Sequence, residues 1–146
     1  MNIKKTKQLI LDSLRNEESC FKDLIEKIRE QKKAIENKDE VRVLEIIEEK
    51  NTIIEIFRSH EGEVNARHQS LPPEEIQSLE QEGEALKKSL EKLLETIIRM
   101  EEECEVEIGL KMKEVEKRIF GLQKGKKIGQ GYGGFLKNRP TISRKV

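Results

Sequence analysis

Tryptophan is absent from this chain, and Phe and Tyr together make up only 3 % of its 146 residues. So few aromatics leave little of the bulky material that fills a thick globular core. Proline occurs three times, which leaves long amphipathic helices as the profile of the chain. The two cysteines, Cys20 and Cys104, lack any metal-binding spacing such as C-x-x-C. Each takes an apolar place in a helical stripe, where a thiol acts as a small buried hydrophobe. No stretch approaches the roughly 18 uninterrupted apolar residues of a membrane span. The start, MNIKKTKQLILDSLR, has neither a clean apolar run nor a small-residue cleavage site. A cytoplasmic, soluble protein is the expectation.

What the chain has in abundance is charge. Charged residues make up 40 % of it, and 29 bases balance 29 acids. The balance is uneven along the sequence. From Lys124 to Val146 there are seven Lys/Arg and no acid, so residues 1–123 hold 22 bases against 29 acids, a net of −7. An acidic body therefore carries a basic tail of +7. That tail contains GKKIGQGYGGF, in which five of eleven residues are glycine. Residues 1–123 read as one helical domain and residues 124–146 as a flexible tail.

Apolar spacing predicts three helices, over about 3–36, 40–68 and 73–124. In the first, Leu14, Phe21, Ile28 and Ile35 recur every seven residues with Ile10 and Leu24 interleaved, and Glu17 and Gln31 interrupt the seam. Asn37-Lys38-Asp39 breaks the pattern, with Asp39 as N-cap of the second helix. That helix carries a broader stripe (Val43, Leu44, Ile47, Ile54 and Phe57, widened by Val41, Ile46, Ile53 and Ile56), suited to packing between two neighbours. SLPPEEI opens the third, with Pro73 at the first helical position and Leu71 placed to staple against Ile76. From there Ile76, Leu79, Leu86, Leu90, Leu93, Ile97, Met100 and Cys104 follow a three-four spacing, with Gly83 on the seam. Leu86, Ile97, Ile108 and Ile119 lie eleven apart, as expected of a nearly straight helix. The predicted fold is all-α: an antiparallel three-helix coiled-coil bundle with a long third helix. A helix of about 50 residues spans roughly 75 Å, so its end, from about Cys104, should overhang. An overhanging apolar stripe serves self-association, as in a homodimer, or partner binding.

Enzymatic signals are weak. His60 and His68 are eight apart, unsuited to the i, i+4 geometry of a helical metal pair, and read as solvated. Glu101, Glu102, Glu103, Glu105 and Glu107 point around the helix axis instead of converging, which makes them a solvated face. GLQKGKK has one residue too few between its glycines for a phosphate loop, and Lys127 replaces the required hydroxyl. GQGYGG follows a helix, not a strand, so it is no dinucleotide fingerprint. No catalytic, cofactor or metal site is expected. The tail could bind nucleic acid through Lys124, Lys126, Lys127, Lys137, Arg139, Arg144 and Lys145, with Tyr132 and Phe135 free to stack. The acidic body and the lack of a recognition module argue against it.

Two segments resemble the FlgN-type flagellar export chaperones for hook-filament junction proteins. AIENKDEVRVLEIIEEKNTIIEIFRSHE, Ala34 to Glu61, resembles the family's helix-turn-helix, with Lys50 before paired apolar positions. GYGGFLKNRPTISRKV is similar to its tail, where a Tyr-Gly pair precedes a Ser/Thr- and base-rich stretch. The resemblance implies a chaperone for type III protein export in flagellum biogenesis, not an enzyme. It would hold the C-terminal amphipathic helix of hook-associated (hook-filament junction) proteins and deliver them to the export gate. Ile97, Cys104, Ile108, Met112, Val115 and Ile119 would form the client-binding surface. Tyr132, with Phe135 beside it, would dock on the cytoplasmic domain of the export-gate protein. The region RMEEECEVEIGL departs from the family's Asn-x-x-Asn segment and following Leu pair. FliT-like filament-cap chaperones and FliJ-like export-stalk coiled coils share the composition. A structural coiled coil or export-stalk protein acting by self-association therefore stands as the alternative, and a basic-tailed nucleic-acid binder behind it.

Overall fold

The computed structural model describes residues 2–123, with side-chain environments through Ile119. Within them the chain is all-helical, in five helices: α1 (Ile3–Glu36), α2 (Glu40–Gln69), α3 (Pro73–Glu82), α4 (Glu84–Lys111) and α5 (Lys113–Gln123). The tail, with Tyr132 and Phe135, lies outside the described residues.

The seam of α1 is buried as its spacing requires: Ile10, Leu14, Phe21, Leu24, Ile28 and Ile35 all belong to the core. Asn2 caps the helix, its side chain accepting from the Lys5 amide at 3.1 Å. At the other end the Lys38 amide donates to the Ile35 carbonyl (3.0 Å) and the Asp39 amide to the Ala34 carbonyl (2.9 Å). These two bonds form a Schellman motif, and they place Lys38 in the left-handed region at φ 56°. Asp39 then turns from closing α1 to opening α2, its carboxylate accepting from the Arg42 amide at 3.1 Å. One three-residue connection thus satisfies orphan backbone groups on both helices.

Cross-helix bonds give the directions. Between α1 and α2, Ser13 pairs with Glu63 (3.2 Å), Lys27 with Glu49 (2.8 Å) and Glu30 with Arg42 (2.9 Å), a descending order that makes the helices antiparallel. Between α1 and the third segment, Lys7 bonds Ser78, Glu18 bonds Ser89 and Gln31 bonds Glu101, each pair 70 or 71 residues apart. A constant offset means that α1 and α3–α4 run parallel. Bonds to Lys27 first, then to Arg42, hold the Glu49 carboxyl below its ordinary pKa.

The apolar residues of all three segments meet in one core, with Phe21 stacked on Phe57 at 4.8 Å between ring centroids and 24° between planes. Not every apolar residue of α2 is enclosed. Val43, Ile46, Ile47 and Phe57 are buried, whereas Val41 and Ile56 face solvent.

The expected single third helix is interrupted twice. At Gly83 the chain kinks between α3 and α4, although the backbone ladder continues through the Gly83 amide to Leu79 (2.9 Å) and from the Lys87 amide to Gly83 (2.9 Å). A Cβ there would lie 3.3 Å from the Leu79 carbonyl oxygen and 3.5 Å from the Leu11 side chain, so the backbone passes close to α1 at this glycine. Pro73 takes the first helical position of α3, as predicted. Leu71 is buried and Ile76 packs against the core, consistent with the stapled entry. The second interruption is Met112, at φ −138° and ψ 65°, after which α5 begins.

Candidate helix-binding end of the bundle

The α1–α2 hairpin turns at Asn37–Asp39, and with an offset of about seventy residues α4 comes level with that turn near Glu107. Beyond the turn a straight helix would have nothing to pack on. The chain instead bends at Met112 and α5 packs against α2. Met112 and Val115 become 3 % and 0 % exposed, a gain of apolar burial that outweighs the few backbone bonds a continuous helix would add across the bend. The expected overhang is therefore corrected: its apolar residues fold onto the body. Gly109 makes the close approach feasible, since a Cβ there would sit 2.8 Å from a Glu116 carboxylate oxygen.

The six residues read as a client surface are accounted for one by one. Ile97, Cys104, Ile108, Met112 and Val115 lie in the core, and Ile119 is half-buried against it. The exposed large apolar residues of α4 are two that the stripe passed over, Val106 and Leu110, which are 60 % and 73 % exposed; Val41, at the start of α2, is exposed as well. Val106 and Leu110 stand one helical turn apart on the outer side of α4. Beside them a cleft of about 380 Å³ runs between α1 and α4, lined by Lys32, Ile35, Glu36, Glu103, Val106 and Glu107, with Lys111 at its edge. Lys111 bonds Glu107 at 2.8 Å, and that bond, ahead of the Glu107 and Glu36 charges, raises its ammonium pKa. Lys32 reaches Glu103 at 3.6 Å across the cleft. The rim thus carries both signs of charge around an apolar strip.

One turn further into the bundle, polar groups from three helices meet where no solvent reaches. The Lys50 ammonium, on a fully enclosed side chain, lies 2.9 Å from each oxygen of Glu101, itself 2 % exposed. The Gln31 amide donates to the same carboxylate at 3.4 Å. This overturns the solvated reading for Glu101. It also explains Gln31 as an interruption of the α1 seam: the polar residue faces polar partners. Sequence spacing held the signal, because Lys50 falls on the three-four run Val43, Ile47, Ile54, Phe57 and Glu101 on the run Ile97, Cys104, Ile108. The layer is sealed and its charges are mutually satisfied, so it holds helices in register and offers nothing to a substrate.

His68 is also buried, at 8 % exposure, and His60 is half-buried, so neither is the solvated side chain expected. Both cysteines are free and buried as expected, and desolvation above all raises their thiol pKa values. Among the described residues no group of three or more His, Cys, Asp or Glu is placed to hold a metal, and no helix is long and apolar enough to cross a membrane. Compared with known proteins, the chain matches no family model, no curated protein and no solved structure.

Proposed function

We propose that this chain is a FlgN-type export chaperone, with α3, α4 and α5 acting as the interrupted third arm of an antiparallel three-helix bundle. It holds an amphipathic client helix at the hairpin end, helix in groove. The supporting observation is the exposed Val106–Leu110 strip beside a cleft whose rim carries both charges. An amphipathic helix matches such a strip: its apolar face covers Val106 and Leu110, and its polar edges meet Lys32, Glu103 and Lys111. The client is the C-terminal helix of a hook-filament junction protein, and it reaches Ile108, Met112, Val115 and Ile119 only by displacing α5. Tyr132 and Phe135 of the tail then carry the loaded chaperone to the cytoplasmic domain of the export gate. The cytoplasm is the compartment this role requires.

Titration calorimetry with a junction protein tests the reading. The full-length client should bind, and a client cut before its C-terminal helix should not. Val106→Asp with Leu110→Asp should weaken binding by at least about tenfold at unchanged helicity. Equal binding of the full and truncated clients would overturn the proposal.

A further inference from the structure

The bend at Met112 has no helix breaker to enforce it. Leu110, Lys111, Met112, Lys113 and Glu114 are all good helix formers. The backbone ladder reaches Met112 from both sides: its amide donates to the Ile108 carbonyl at 2.8 Å, and its carbonyl accepts from the Glu116 amide at 3.0 Å. The apolar repeat Leu86, Ile97, Ile108, Ile119 also passes through the bend without a change of phase. Apart from Gly109, local sequence therefore favours a straight helix from Glu84 to Gln123, and the burial of Met112 and Val115 against the body favours the turn.

From this we propose that α5 is an exchangeable arm, and that in a second state it docks on α2 of another copy of this chain. Straightening leaves two complementary deficits in each molecule. Met112, Val115 and Ile119 lose their cover, and the surface that α5 occupied on α2 is bared. Two straightened copies placed head to head fill both deficits with the side-chain contacts already made within one chain. Domain swapping of this kind creates a dimer without any new interface chemistry, at the cost of association entropy. Straight hinges offset part of that cost, because the helical hydrogen bonds given up at the bend are restored. Gly109 tunes the balance: its missing side chain admits Glu116 in the bent state and weakens the straight helix. The exchange holds whichever partner the bundle serves.

Two substitutions push the equilibrium in opposite directions. In the bent state Lys113 is the first residue of α5 and is exposed, a position that accepts proline. In the straight state the same proline would sit inside a helix. Lys113→Pro should therefore raise the dimer dissociation constant by about a hundredfold or more. Gly109→Ala should lower it by about fivefold, since alanine favours the continuous helix and only a mobile carboxylate need move. Sedimentation velocity on the full chain, from low micromolar to near-millimolar concentration, reads both, with circular dichroism as the check on folding. A wild-type chain that stays monomeric throughout overturns the proposal. So does a dimer that Lys113→Pro leaves intact, or that Gly109→Ala weakens.

Discussion

Lys50 shows how little a residue's class says about its place. Its ammonium is enclosed on all sides, and Glu101 answers it with both carboxylate oxygens at 2.9 Å. Removing one partner strands a buried charge, whereas removing both leaves an apolar gap that methionine can fill. Lys50→Met alone should cost about 3–5 kcal/mol in urea denaturation, and Glu101→Met alone about as much. The double variant should recover most of that loss, a strong coupling. Simple additivity of the two losses would show that the pair is not acting as one unit. Each residue's seam position was readable from spacing. Their union was not, because Lys50 stands in a run of charges, EEK, and Glu101 in another, MEEEC. In so charged a sequence a buried carboxylate looks like its exposed neighbours, and nothing local reveals a partner 51 residues away.

Among the elements, the hairpin turn was the most legible. Asn37-Lys38-Asp39 announced itself by breaking the stripe, and Asp39 caps α2 as its side chain predicts. The strained member is Lys38, held at positive φ where a Schellman motif prefers glycine. Lys38→Gly should stabilise the fold by about 1 kcal/mol, read as a higher urea midpoint at unchanged slope. No gain would mean that the lysine side chain contributes something that its backbone strain conceals. The third segment was half legible. Gly83 stood on the seam, yet the helix was expected to run straight through it, and the bend at Met112 depends on where α4 outruns the hairpin, a matter of three-dimensional register. The exposed strip of Val106 and Leu110 escaped for a related reason. Two apolar residues off the main stripe look incidental until the neighbouring cleft is in place.

At the scale of the whole molecule, α1 is paired both with α2, close to it in sequence, and with α4, some seventy residues away. An all-helical fold was legible from periodicity because nearly every seam residue obeys it. The parallel course of α1 and α4 follows once two reversals are granted. The enclosed Lys50 ammonium then has a consequence for the order of events during synthesis. Until α4 has left the ribosome, the α1–α2 hairpin lacks both the apolar residues that complete its core, Leu90, Leu94 and Ile97 among them, and the carboxylate that Lys50 needs in order to be enclosed. A fragment of residues 1–71 should accordingly lack a cooperative thermal transition, whereas 1–123 should melt cooperatively. A cooperatively melting hairpin fragment would contradict this. The nascent chain would therefore wait, loosely helical and unlocked, until its own later sequence delivers the missing face of the core together with the counter-ion that lets Lys50 be enclosed.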